Sequence, residues 1–286
     1  MTKKQYDDKT LKKLHKVLTE MLKDLIYVCN KYKIDYFAID GTGLGAVRHN
    51  GFIPWDDDVD IRMMYNDIDK FIKYTLKEFG DKYYFVDYKN TKNNPNTFPK
   101  MCLKDTTFID ETASQLNINF GIFIDIFPMY YIPDDPKKAK KILKKGYLYK
   151  TIGILSLVRK PVVETSKIKK VIILTICFIG HYILKLFRVK SEKMFDKGVK
   201  LMCNCKKSSY IASLGENNSH TKYRVKDIFP TKKHSFENIK INIPVDYDKV
   251  LTEQFGDYMV LPPIEKRHNH YPKKLEFKKK WFLYLP

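Results

Sequence analysis

The chain has 286 residues, 44% of them hydrophobic, and sets 53 Lys and Arg against 33 Asp and Glu, for a formal net charge of +20. That length and apolar content exclude a disordered or fibrous chain and allow one large domain, or one domain with a smaller appendage. Five scattered cysteines exclude a disulfide framework, and the charge leaves two readings: a Lys-rich composition without a role, or attraction to nucleic acid, a membrane surface or a nucleotide or phosphosugar substrate.

The opening MTKKQYDDKT has no apolar core region, so no secretory leader is expected. Residues 8–32 read as an amphipathic helix, with Leu11, Leu14, Leu18, Met21, Leu22, Leu25, Ile26 and Cys29 at three- and four-residue steps. Asp35 to Ile39 is a short strand that Gly41-Thr42-Gly43 breaks, and Leu44 to His49 makes a short helix. Residues 59–64 form the next strand, and Asn66 is placed to cap a helix running to Phe79. Tyr83 to Tyr88 and Met101 to Ile109 are further strands. Gly121 to Phe127 is a buried strand carrying one acid, Asp125, and Pro128 is expected to end it.

After Pro136 the character changes, and residues 137–205 read as helical and Lys-rich. Val171 to Leu184 runs 14 residues without a formal charge. As a helix it would be about 21 Å long, too short to cross a hydrocarbon layer of about 30 Å comfortably. Lys167, Lys169 and Lys170 flank one end; Lys185, Arg188 and Lys190 flank the other. Three readings follow: a buried core helix, an in-plane or re-entrant membrane helix held by its basic flanks, or a span. Cys203 and Cys205 lack the second pair that a zinc ribbon needs. Lys240 to Pro244 reads as a strand, Tyr247 to Phe255 as a helix stopping at Gly256, and Lys278 to Lys280 as a basic end.

The chemistry gathers in the 22 residues from Asp40 to Ile61, DGTGLGAVRHNGFIPWDDDVDI. Asp56, Asp57, Asp58 and Asp60 repel one another unless solvated or neutralised by a divalent cation such as Mg²⁺. In a strand, Asp58 and Asp60 point to one side about 7 Å apart and can share one or two ions, while Val59 and Ile61 enter the core. A Gly-rich turn between strand and helix suits phosphate oxygens, so Gly41, Thr42, Gly43 and Arg48 are candidate donor-binding residues. An acid inside an apolar strand is costly unless paired or metal-bound. Asp125 is therefore the third candidate, as metal ligand or as the group that takes a proton from an attacking hydroxyl. A second DIFP at Asp227 has more polar surroundings and ranks lower. Asp56 has a better claim to a supporting role than Asp57, because it follows Trp55. Trp55 either packs or stacks on a base. Lys266, Arg267, His268 and His270 form either a solvated basic loop or a lid over a diphosphate or acceptor. His268 and His270 make no convincing metal site, since no acid or third His is close in sequence.

These residues closely resemble the LicD family, which includes fukutin and fukutin-related protein. The match lies in GTGLGAVRHNGFIPWDDDVDI at 41–61, GIFIDIFP at 121–128, the helical middle, and FGDYMVLPPIEKR at 255–267, in the same order. Gly43 departs from the Leu of many members. The resemblance implies an α+β, nucleotidyltransferase-like mixed sheet flanked by helices, with metal acids Asp58 and Asp60 on one strand and Asp125 on a neighbouring one. It divides the chain into a catalytic core at 1–135, a helical insertion at 136–205 that could associate with a membrane, and a segment at 206–286 completing the core.

The implied activity is Mg²⁺- or Mn²⁺-dependent transfer of a phospho-alcohol, most often phosphocholine, from a CDP-activated donor to a glycan such as lipopolysaccharide, teichoic acid or capsule. The acceptor would be lipid-linked or at the cell surface, and the chain cytoplasmic and peripheral at the inner face of the membrane. Two rivals stand beside this: a nucleotidyltransferase releasing pyrophosphate, and a non-catalytic glycan-assembly protein. No nucleic-acid-reading module stands out, so nucleic acid is not an expected partner.

Overall fold

The computed structural model describes residues 5–163, 165–215 and 222–277; the basic end at Lys278 to Lys280 lies outside them. Helix α1 (Asp8–Tyr32) is capped by Asp7, whose carboxylate accepts from the Thr10 N–H. It buries the predicted stripe, from Leu11 through Leu25 to Cys29, with Ile26 partly covered. Strand β1 (Tyr36–Ala38) follows, then α2 (Asp40–His49), β2 (Asp60–Met64) and α3 (Tyr65–Phe79). Several boundaries differ from expectation; β2, for one, begins at Asp60 and leaves Asp58 and Val59 in the preceding loop. Helix α2 already begins at Asp40, so Gly41 to Gly43 form its first turn, not a loop ahead of it. Helix α3 begins before Asn66 and has no side-chain cap.

Strands β3 (Tyr83–Val86) and β4 (Lys100–Leu103) come next. The predicted strand over 101–109 is two pieces, β4 and β5 (Thr107–Ile109), separated by a turn with Asp105 in the left-handed region. A short helix α4 (Glu111–Leu116) leads to β6 (Phe123–Ile132), the longest strand. It runs through Pro128. Alternate N–H groups of β6 point to opposite sides: Asp125 donates to Val59 O and Ile126 to Pro99 O. β6 pairs with β4 at 123–125 and, from Met129 onward, with β7 (Tyr210–Ser213). Pro128 falls in the gap between these two neighbours, where its missing N–H leaves no ladder bond unmade.

The main sheet runs β1-β2-β6-β4-β3, with β7 beside β6 and β8 (Lys222–Arg224) beside β7. Among its described pairings, β2 with β6 is parallel and the others are antiparallel. On one face, Ile61, Met63, Ile124 and Ile126 pack with α1 and α3 in the principal core. Helices α5 (Pro136–Leu157), α6 (Lys167–Leu186) and α7 (Ser191–Cys203) follow β6. Helices α5 and α7 share a second cluster with β6 and β7, in which Leu143, Phe195, Val199 and Met202 meet Tyr130, Ile132 and Ala212.

The remaining elements are α8 (Val225–Ile228), the hairpin β9 (Lys232–Phe236) and β10 (Ile239–Ile243), α9 (Tyr247–Phe255) and β11 (Lys274–Glu276). β11 pairs with β5 and draws the end of the described chain back across the fold.

Candidate active site

The parallel register of β2 and β6 sets Asp60 directly beside Asp125. The antiparallel register of β4 sets Lys100 on the other side of Asp125. Register partners project from the same face, so Asp60, Asp125 and Lys100 form a row across three strands about 4.8 Å apart. Lys100 Nζ donates to Asp125 Oδ1 at 2.6 Å, and both side chains are nearly buried. The ammonium also lies 3.5 Å from the centre of the Phe123 ring.

Upstream of β2, the 52–58 loop is held from several sides. His15 stacks on Phe52 at 4.0 Å and donates from Nε2 to the Asp56 carbonyl. Asp57 is buried and accepts from the Tyr6 hydroxyl and the His270 N–H, each at 2.8 Å. The His270 ring sits 3.1 Å from Asp58 Oδ2 and 3.3 Å from Asp57 Oδ1. Those two carboxylates raise its pKa above 6.5, and the ring's wide solvent exposure tempers the effect. Among the described residues, Asp56, Asp57, Asp58 and His270 bring potential ligand atoms within 4.8 Å of one another. His270 thus meets acids more than 200 residues distant in sequence, contrary to the sequence argument against it.

The acids crowd one another. Burial, then Asp58 and Asp57, push the Asp56 pKa up to about 8. Burial, Asp58, Asp125 and Asp40 raise Asp60 well above the carboxylate range, against the pull of Arg62. Burial raises Asp125, and Lys100 opposes the rise. The site therefore holds more carboxylate than its cations neutralise. Its donors are mainly hard oxygens, and Asp60 accepts no hydrogen bond from a described side chain. That donor set fits Mg²⁺ or Mn²⁺.

The other sequence candidates fall into two groups. Gly41 lies against the cluster: a Cβ there would meet Asp56 Oδ2 at 2.6 Å. The Thr42 hydroxyl accepts the Asp60 N–H at 2.9 Å and so fixes the start of β2. Gly43 is buried with its Cβ position 2.8 Å from the Ala38 carbonyl, which ties it to helix packing. Arg48 donates to Tyr258 O at 2.7 Å, and Trp55 packs with the cluster of Leu44, Ile53, Leu251 and Tyr258. The Arg267 guanidinium lies 4.6 Å from the Trp55 ring centre, and Lys266 ends an exposed single turn. Asp227 is in α8, ion-paired with Lys249, away from this row.

Three contributors escape a linear reading. Lys100 has a faint signal, a cation opening the apolar run KMCL. Arg62 is buried inside β2; its Nη2 is 2.7 Å from Asp40 Oδ2 and its Nη1 donates to Ser213 at 3.2 Å. Asp40 also accepts from Gln254 at 2.7 Å, which links the start of α2 to α9.

The sheet is mixed, with acids clustered where two parallel strands meet, in an α+β fold, and residues 33–150 match the family model described as LicD/FKTN/FKRP, nucleotidyltransferase domain. The chain is 26% identical over 265 residues to the lipopolysaccharide cholinephosphotransferase LicD of Haemophilus influenzae, a match spanning 92% of this chain and 96% of that one. Over 129 residues it is 40% identical to an uncharacterized protein of Rickettsia prowazekii, covering 45% and 47% of the two chains. The match to this family model thus lies in residues 33–150, and the similarity to the Haemophilus protein extends over most of the chain.

Proposed function

We propose that this protein transfers a phospho-alcohol, phosphocholine first among them, from a CDP-linked donor to a sugar hydroxyl of a cell-surface glycan, with release of CMP. The match to the LicD/FKTN/FKRP family model supports a transferase, and the similar Haemophilus protein is named as a lipopolysaccharide cholinephosphotransferase. The observation that carries the reading to the reaction centre is the side-by-side register of Asp60 and Asp125, with Asp58 two residues upstream.

In this reading Asp58, Asp60 and Asp125 would hold Mg²⁺ or Mn²⁺. The ion supplies charge neutralisation for the phosphoryl oxygens and the leaving phosphate. The acceptor hydroxyl attacks the phosphorus that bears the alcohol, a new P–O bond forms, and the bond to CMP breaks. The hydroxyl proton passes to a carboxylate of the cluster. Lys100 holds Asp125 in place. Arg48, Arg267 and Lys266 supply positive charge for the donor phosphates, and Trp55 supplies an aromatic face. The acceptor is built on a lipid carrier, so the protein works as a peripheral protein at the inner face of the membrane.

The test is CMP release from CDP-choline, CDP-ribitol and CDP-glycerol in turn, with Mg²⁺ or chelator, and with a membrane extract as acceptor source. Metal-dependent CMP from one donor, abolished by Asp58→Ala, is expected. Pyrophosphate as the product would establish the nucleotidyltransferase reading instead. No release from any donor would remove the CDP-alcohol assignment.

A further inference from the structure

Helix α6 does not behave as the core helix that its composition allows. It touches α5 along one narrow edge. Leu174, Cys177, Gly180, His181 and Leu184 face inward there, with His181 Nδ1 donating to the Leu155 carbonyl at 2.8 Å. The Gly180 Cβ position lies 2.9 Å from Leu155, so the two helices meet closely at this point. The opposite side is a row of bare aliphatics at helical spacing: Ile168, Ile172, Ile179 and Leu186 are 77%, 53%, 53% and 78% exposed. Ile176, Ile183 and Phe187 widen the row. Water is a poor solvent for an apolar face of this extent, and such a face marks a contact surface.

The charges around it select the occupant. Residues 165–190 contain no Asp or Glu, and six cations bracket the apolar row, namely Lys167, Lys169, Lys170, Lys185, Arg188 and Lys190. The adjoining helix α5 adds exposed Lys137, Lys138, Lys141 and Lys144. A second copy docked along the row would set these cations against their own counterparts in either direction. An anionic lipid surface meets both demands at once, since acyl chains receive the aliphatics and headgroups receive the cations.

The same features weigh against a crossing. No single described helix is long and apolar enough to span a membrane. Helices α6 and α7 pass that test only as a pair bent by 98°, and α7 spends its apolar side, Phe195, Val199 and Met202, in the second core cluster.

We propose that α6 lies in the plane of an anionic bilayer, with the Ile168-Ile172-Ile179-Leu186 face buried at the level of the acyl chains and the flanking Lys and Arg at the headgroups. This deepens the peripheral placement proposed above and rests on it, while the transfer chemistry is independent of it. The experiment is sedimentation of the full chain with phosphatidylcholine vesicles, with and without phosphatidylglycerol, alongside Ile172→Asp/Ile179→Asp and Lys169→Glu/Lys170→Glu/Lys185→Glu. Light scattering, thermal melting and CMP release are measured on the same samples. The targeted side chains are exposed, so melting should stay unchanged. Binding to anionic vesicles should fall at least about tenfold in both variants, and the wild type should bind neutral vesicles weakly. An Ile179→Trp variant should shift its emission to the blue only with anionic vesicles.

Failure of the wild type to bind anionic vesicles overturns the inference, and CMP release in those samples would leave the transfer reading standing. Binding without CMP release from any donor would keep the inference and remove the transfer reading. A wild-type dimer that Ile172→Asp/Ile179→Asp dissociates, with no vesicle binding, would assign the face to a second copy and also overturn it.

Discussion

At the residue scale, Lys100 is the informative position. It is the cation that lets Asp125 sit in an apolar strand, and the pair is nearly buried. Breaking a buried pair by removing one partner costs about 3–5 kcal/mol, because the other charge is left uncompensated. Lys100→Ala should therefore lose that much stability by urea unfolding in the presence of chelator. If Asp125 also serves a divalent ion, Mg²⁺ should recover part of the loss. An equal loss with and without Mg²⁺ would take Asp125 out of the metal site. Lys100 was not legible as part of the site, and His270 only as a member of a candidate basic lid, not as a partner of the acids. Their partners lie 25 and more than 200 residues away, and sequence spacing reports only neighbours on one element. Asp58 and Asp60 were singled out by strand alternation, which is local, but β2 begins only at Asp60 and Asp58 belongs to the loop before it. Val59 and Ile61 are fully buried, as the sequence pattern suggested.

At the scale of elements, long periodic helices were readable and pairings were not. The bounds of α1 and α9 agree with the hydrophobic spacing, which depends on consecutive residues alone. The continuation of β6 past Pro128 depends on which strand lies beside it at that point, and that information sits at Lys100 to Leu103 and Tyr210 to Ser213. The environment of α6 was open for a similar reason: an apolar run has the same pattern whether protein or another medium covers it. The contact of α5 with α7 gives a sharper test. A Cβ on Gly153 would lie 2.3 Å from the Phe195 ring, itself fully buried. Gly153→Ala should thus destabilise by about 1–3 kcal/mol through overpacking. A melting temperature equal to wild type would show that this interface yields.

At the scale of the whole molecule, a chain of net charge +20 crowds several carboxylates into one cluster. This makes stability depend on pH in a stated direction. Asp56 holds its proton to about pH 8 in the folded state, against an ordinary value of 3.8. Between those values the native state binds more protons than the unfolded one, so stability falls as pH rises through that window. His270, raised above 6.5, acts with the same sign above its ordinary value. In chelator, the melting temperature should decline from pH 5 to pH 8. Added Mg²⁺ should raise it more at pH 8 than at pH 5, because protons no longer compete for the carboxylates. A flat profile, with no difference between the two metal conditions, would mean that the cluster is solvated and neutral to folding.

The pairing of β11 with β5 has a consequence for biosynthesis. The loop of Asp56 to Asp58 is made early, yet His270 reaches it only when the last described stretch is in place. A nascent chain therefore displays these acids without the partner that covers them until the stretch carrying His270 is made. The order of synthesis thus imposes an order of assembly, in which the acid cluster waits for the segment that carries His270.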